Sequence, residues 1–163
     1  MKNKIIAIII GLGFVGILFL LFNSDKRIIK KNLGQLVEIA TKEKNDNNFI
    51  FIVKVKKLKS LFKDDCIVKF EKEVLPEIKK LDELLVVYSQ LYKFVEEVEI
   101  ELSDVSIVTY KGNKDALTKL KGKSIVKVRQ GEQYLFIEQN VELRWIKENN
   151  KWKVFEIKGI NLK

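Results

Sequence analysis

The sequence predicts an α+β protein in which helices cover one face of a four-stranded antiparallel sheet. Apolar residues recur at helical spacing between residues 25 and 95, and beyond residue 97 they alternate with a period of two. Hydrophobic residues make up 47% of the chain and charged residues 33%, which is a globular composition. A third feature, an uncharged run near the amino terminus, predicts a transmembrane helix. We therefore expect a membrane anchor at residues 1–24 and one domain at residues 25–163.

The anchor is predicted from residues 5–22, which are all apolar or glycine. As a helix this run would be about 27 Å long, close to the thickness of a bilayer's hydrocarbon core. A cleaved signal peptide and a buried core helix are the two alternatives, although no small-x-small cleavage pattern ends the run. The lysines Lys2 and Lys4 precede it, as in exported signal-anchors. We expect a single-pass membrane protein that contacts the bilayer through residues 5–22, with its domain outside the cytoplasm.

Charge and residue usage exclude several kinds of chemistry. The formal net charge is +9, but lysines are interspersed with glutamates along the chain, so we expect solvated faces and no nucleic-acid partner. Histidine is absent, which removes histidine triads and histidine-ligated zinc. Cys66 is the single cysteine, so the chain forms no internal disulfide. No phosphate-binding loop or metal-ligand spacing is present, and we predict no cofactor and no metal.

Two helices are expected before the first strand. The first, over residues 25–42, has an apolar face formed by Ile29, Leu33, Leu36, Val37 and Ala40. A turn follows at residues 45–48. Residues 49–62 fit a strand by their β-branched content and a helix by the spacing of four apolar residues. We favour the helix, with a short strand at residues 66–70.

A longer helix is predicted from residue 74 to residue 95. Its apolar stripe repeats at alternating intervals of four and three, and it consists of Val74, Ile78, Leu81, Leu85, Tyr88, Tyr92 and Val95. Pro76 would lie in its first turn, where proline is tolerated. A coiled coil is the alternative for such a repeat, but packing against a core is favoured.

Four long strands complete the domain. The first follows Glu97 and contains a bulge at Ser103 and Asp104. The others cover residues 115–129, 135–145 and 152–162, and turns are expected at residues 112–113, 131–132 and 149–150. Because consecutive strands joined by short turns pair with one another, we expect an antiparallel meander whose apolar face the helices cover.

This order of elements resembles the nuclear transport factor 2-like superfamily, which has a cone-shaped, cystatin-like α+β fold. Two segments carry the resemblance: residues 61–66, Leu-Phe-Lys-Asp-Asp-Cys, resemble the step from helix to first strand, and residues 143–154 resemble the last hairpin. The likeness covers residues 25–163. An anchor followed directly by this domain is similar to membrane-tethered bacterial members, and also to the periplasmic domain of type IV secretion assembly factors.

The resemblance implies a conical pocket that some members use for catalysis and others for binding, so fold does not decide function. Enzymatic members place an Asp, Tyr or His inside the cone. The pocket candidates here are Tyr88, Tyr92, Asp104, Tyr134 and Trp145. They include no acid–base pair at a telling spacing, and we assign no catalytic residue. We predict a non-enzymatic module that binds an envelope protein or a second copy through its sheet face or cone. The alternative is a tethered, isomerase-like enzyme or carrier for a small apolar ligand in the cone.

Overall fold

The structure is a computed structural model that describes residues 25–70, 77–110, 112, 114–129 and 134–160. The described part of the first helix, α1, covers residues 25–40. It is followed by α2 (Asn48–Leu61), β1 (Phe62–Phe70), α3 (Leu81–Phe94), β2 (Val95–Thr109), β3 (Asp115–Val128), β4 (Tyr134–Glu148) and β5 (Lys151–Ile160). Helices therefore precede a strand-rich second half, which confirms the α+β prediction.

The sheet has five strands in the order β1-β5-β4-β3-β2, which corrects the predicted four. The strands β2 to β5 form the expected antiparallel meander. The additional strand is β1, which is longer than predicted and pairs in parallel with β5, so that Val68 lies opposite Ile157. The sequence pattern predicted the strand β1. Its parallel pairing with β5 was not predicted, because the two strands are far apart in the sequence and no local pattern indicates that they pair.

Alternation along the strands gives the sheet an inner and an outer face. Ala116, Thr118 and Leu120 of β3 are buried and lie opposite Trp145, Leu143 and Val141 of β4. This inner face is covered by the helices, and its core cluster includes Ile29, Leu33, Leu58, Leu61, Leu81 and Trp152. Intervening residues point away from the helices and form the outer face.

Local sequence signals explain where several elements begin or turn. Asn47 caps α2, because its side-chain oxygen accepts a hydrogen bond from the backbone N–H of Ile50 at 3.0 Å. Asn149 and Asn150 both have positive φ, as the two-residue β4–β5 turn requires. The predicted bulge in β2 is confirmed, since its register to β3 shifts between Ser103 and Ser106 and Asp104 has φ 52°.

The third helix is shorter than predicted. It begins at Leu81, and Ile78 is part of a β-bridge with Val68. The predicted positions Val74 and Pro76 lie outside the described residues. Ile78 is nevertheless buried. The predicted apolar stripe therefore extends beyond the start of the helix, because a residue of the β-bridge also faces the core.

The predicted membrane localisation is corrected. Among the residues that the structure describes, no helix is long and apolar enough to cross a membrane. The helices α2 and α3 have 14 residues each, which corresponds to about 21 Å, short of the roughly 30 Å of a hydrocarbon core. Residues 5–22, on which the prediction of a single-pass anchor with an extracytoplasmic domain was based, lie outside the described residues.

Candidate functional site

Two of the predicted pocket residues, Tyr88 and Tyr92, lie together on α3 and face α2. The ring of Phe51 stacks on Tyr88 with 5.9 Å between centroids and lies 4.8 Å from that of Tyr92. The Tyr88 hydroxyl donates to the backbone carbonyl of Ile39 at 2.9 Å, and the Tyr92 hydroxyl donates to Asp46 Oδ2 at 2.8 Å. Both hydroxyls therefore join α3 to the end of α1 and the loop that follows it.

Asp46 is the acceptor at the centre of this aromatic cluster. Lys54 Nζ lies 2.5 Å from Asp46 Oδ2 and also donates to the carbonyl of Thr41 at 2.6 Å. Burial alone would raise the pKa of the Asp46 carboxyl, but the hydrogen bonds from Lys54 and Tyr92 outweigh it and lower the pKa. The carboxylate is therefore held in its charged form, which is unsuited to a general acid.

Lys42 completes the cluster, and the sequence pattern did not point to it. Its ammonium donates to the carbonyls of Tyr92 at 2.5 Å and Val95 at 2.7 Å, and it lies 4.2 Å from the centroid of the Tyr92 ring. Its backbone exchanges hydrogen bonds with Val98, which attaches the chain after α1 to the edge of β2. Burial is the largest cause that lowers the pKa of Lys42. Its neighbours in the sequence are polar and include Lys44, so no local signal distinguishes Lys42 from a solvated lysine.

The tyrosines have raised pKa values for the same reason. For Tyr92, burial and then the hydrogen bond to the Asp46 carboxylate raise the pKa, and for Tyr88 burial is the main cause. A phenol that is already donating to a fixed acceptor and resists ionisation is a poor catalytic base. The two hydroxyls therefore have a structural role, in which they join α3 to the end of α1 and the loop that follows it.

The other three predicted residues do not join the tyrosines. Trp145 is fully buried and donates from Nε1 to Thr118 Oγ1 at 2.9 Å. Asp104 is exposed at the bulge of β2, and Tyr134 lies on the outer face, half exposed, with Lys127 Nζ 6.0 Å from its ring centroid. The five candidates are therefore distributed over the core, a strand edge and the outer face, and form no common site.

The largest buried side chains lie between the helices and the sheet. The two largest that are fully buried, Trp145 and Trp152, lie there together with the leucines of α1, α2 and α3. In the described part of the chain, no buried side-chain nitrogen or oxygen lacks a hydrogen-bond partner. Nor do the described Asp, Glu and Cys side chains gather into a group that could hold a metal ion. Surface grooves are therefore the candidate sites that the described residues offer to a ligand.

Two surface grooves offer such contacts. The first, which we call the α1–β2 groove, has a volume of about 410 Å³ and is lined by Lys26, Arg27 and Lys30 of α1 with Val105 and Ile107 of β2. Ile107 lies opposite the buried Thr118 and packs against the core, which places this groove at the margin of the inner face.

The second groove, of about 420 Å³, lies on the outer face across β2, β3 and β4. It contains the outer patch, which we define as Ile125, Tyr134 and Phe136, together with Lys127 and two glutamates of β2. The ring of Phe136 is 77% exposed, more than any other large apolar side chain among the described residues.

Comparison with known proteins supports the fold. A nuclear transport factor 2-like superfamily protein from Salmonella enterica superimposes with a TM-score of 0.69 at 12% identity, over 87% of this chain and 94% of that one. Hexachlorocyclohexane dehydrochlorinase LinA-type3 from Novosphingobium barchaimii gives 0.66 at 10% identity, over 84% and 86%. A conserved protein from Planctomyces limnophilus gives 0.67 at 17%, over 85% and 99%.

No family model and no curated protein sequence matches the chain. The structural likeness therefore identifies the fold alone, which is the nuclear transport factor 2-like α+β fold. Proteins with this fold include enzymes, such as the dehydrochlorinase. Because fold does not determine function, the function of this chain has to be inferred from the residues that line its own grooves.

Proposed function

We propose that the protein binds a small, largely apolar ligand in the α1–β2 groove, as a carrier or binding protein. The observation that supports this is the groove itself, where β2 presents Val105 and Ile107 beside α1. With a volume of about 410 Å³ the groove has room for a small molecule, but it is open to solvent, so part of a bound ligand would stay exposed. The fold, which it shares with a dehydrochlorinase of small chlorinated rings, is compatible with this function.

Binding is favoured over catalysis because the chain's acid–base groups are engaged elsewhere. The hydroxyls of Tyr88 and Tyr92 donate to Ile39 and Asp46, and Asp46 also accepts from Lys54. An isomerase-like reaction needs a carboxylate or phenol free to exchange a proton with the ligand. Within the described residues, the carboxyl and hydroxyl groups of the cone interior are all engaged in hydrogen bonds.

The test uses N-phenyl-1-naphthylamine, a neutral apolar probe whose fluorescence rises in a dry environment, titrated with the full-length chain. We expect saturable binding that Val105→Asp weakens at least fivefold, since one charge in an apolar contact costs on the order of 1–3 kcal/mol. The matched control is Val108→Asp. Val108 lies on the same strand and is about as exposed, but it faces outwards. Equal effects of the two substitutions, or no binding, would contradict the proposal.

A second candidate function is self-association through the outer patch. Ile125, Tyr134 and Phe136 are all exposed and lie next to one another on β3 and β4. An exposed apolar patch of this kind often marks a protein–protein contact. Two sheets can pack face to face about 10 Å apart, with such side chains between them. A second copy of this chain is the partner that we propose for the patch.

Sedimentation velocity over a hundredfold range of concentration tests this second candidate. We expect a monomer–dimer equilibrium that Phe136→Ser shifts to monomer. Val86→Ser, a substitution of an exposed residue on α3, should leave the equilibrium unchanged. A monomer at every concentration of the unmodified chain would overturn the idea.

A further inference from the structure

The α1–β2 groove has two chemically different walls. On one side are Lys26, Arg27 and Lys30, and on the other Val105 and Ile107. Lys26 and Lys30 are four residues apart, so their side chains lie on the same side of the helix, with Arg27 beside them. We propose that the ligand is an amphipathic organic anion, with a carboxylate or sulfonate against α1 and an apolar body against β2. This inference rests on the proposed function and specifies the ligand class.

The acids of α1 do not neutralise this basic wall. Asp25 Oδ1 accepts from Lys147 Nζ at 2.8 Å and from Trp152 Nε1 at 3.0 Å, and its side chain is buried. Glu38, the other acid among residues 25–40, accepts from Lys57 at 2.7 Å. Both carboxylates of the described helix are therefore engaged with other elements.

The facing strand does not supply a carboxylate either. Asp104 precedes Val105, but it does not line the groove. Further along β2, Glu97, Glu99 and Glu101 pair with Lys127, Ile125 and Lys123 of β3, which alternate with the inner residues and so lie on the outer face.

An anion fits such a wall better than a neutral ligand does. An arginine can donate two parallel hydrogen bonds to a carboxylate, and the neighbouring lysines, Lys26 beside Arg27 and Lys30 about one turn further on, add attraction without a fixed geometry. The apolar residues opposite would be covered by the rest of the ligand, which excludes water from the charged contact. A purely ionic ligand would leave Val105 and Ile107 uncovered.

A matched pair of probes tests the inference. N-Phenyl-1-naphthylamine and 8-anilinonaphthalene-1-sulfonate share their ring system and differ in one sulfonate. We expect the full-length chain to bind the sulfonate more tightly. Lys30→Glu should weaken sulfonate binding about five- to tenfold at low salt, the scale of a two-unit charge change near a surface. The neutral probe should change less than about twofold.

The control is Lys31→Glu, which makes the same charge change at the next residue of α1 without lining the groove. Loss of sulfonate binding with Lys30→Glu and not with Lys31→Glu supports the inference. Equal losses from both variants would show that sulfonate binding depends only on the overall positive charge of the protein, and would overturn the inference. If both probes bind equally well and Val105→Asp weakens both, the anion preference is wrong but the proposed function stands. If neither probe binds, both fail.

Discussion

The buried carboxylate of Asp25 joins three distant parts of the chain. It accepts hydrogen bonds from Trp152 of β5 and Lys147 of β4, so it fixes α1 against the β4–β5 hairpin. An aspartate at the start of a helix commonly caps it, and the local sequence does not distinguish Asp25 from such a cap. Its actual partners are more than a hundred residues away, and a local pattern could not indicate them.

Asp25→Ala should lower the free energy of unfolding by about 1–3 kcal/mol, because it leaves the buried indole N–H of Trp152 without an acceptor. Asp25→Asn keeps an oxygen acceptor and should have a smaller effect. Urea denaturation followed by tryptophan fluorescence measures both. Asp64→Ala, at an exposed acid, serves as the control. If Asp25→Ala were as stable as the control, the hydrogen bond would contribute nothing.

Asp46 should make stability depend on pH in the acid range. Hydrogen bonds from Lys54 and Tyr92 lower its pKa in the folded chain below the value of about 3.9 of a free aspartate. A depressed pKa stabilises the fold fully above the unfolded value, and this contribution is lost as pH falls through the folded value. Asp46→Asn should therefore be less stable than the unmodified chain at pH 7, by on the order of 3 kcal/mol.

The difference between Asp46→Asn and the unmodified chain should shrink as the pH falls below about 4. Urea denaturation at a series of pH values measures it, and Asp64→Asn, which should show no such convergence, is the control. A difference that is constant from pH 7 to pH 3 would mean that folding does not lower the pKa of the Asp46 carboxyl.

At the scale of elements, the sequence patterns predicted whether a segment is a helix or a strand more reliably than they predicted where it begins and ends. The α2 segment was ambiguous because it is rich in β-branched residues, yet the stripe through Leu58 correctly favoured a helix. In α1, Ile29 and Leu33 are buried as predicted, but near its end Ile39 is buried while the predicted Ala40 is exposed. Pairing between β1 and β5 depends on segments about ninety residues apart, which periodicity does not register.

Gly159 shows how tightly three strands, β1, β4 and β5, meet. A Cβ at this position of β5 would collide with the side chains of Phe70 from β1 and Gln139 from β4. Gly159→Ala should therefore lower the free energy of unfolding by about 1–3 kcal/mol, as overpacking does in other cores. Gly34→Ala has open space on α1 and should raise it by about 0.5–1 kcal/mol, because alanine favours the helix.

Thermal or urea denaturation of the two glycine variants, side by side, measures these opposite effects. Gly122→Ala is a useful third variant, since its nearest contact is an ordinary 3.8 Å and a small change is expected. Equal stability of the Gly159 and Gly122 variants would show that Phe70 and Gln139 can move aside without loss.

At the scale of the whole molecule, the sequence predicted the fold better than the site. Tyr88 and Tyr92 were correctly placed on one helix face, and their packing against α2 follows from that. The α1–β2 groove was not predicted, because Lys30 and Ile107 belong to segments that only the folded sheet brings together. In the sequence, Lys26, Arg27 and Lys30 look like ordinary solvent-exposed residues of a helix. No local pattern indicates that they form one wall of a groove.

The separation between the phenols of α3 and the α1–β2 groove gives the last prediction. Tyr88→Phe and Tyr92→Phe each remove a hydroxyl that donates inside the protein, so each should lower the free energy of unfolding by about 1 kcal/mol. Neither hydroxyl lines the α1–β2 groove, so the affinity for N-phenyl-1-naphthylamine should stay within about twofold. Fluorescence titration and urea denaturation on the same samples measure the two effects. A several-fold loss of affinity with unchanged stability would move the ligand from the groove into the cone, because only direct contact with the phenols could separate binding from stability in that direction.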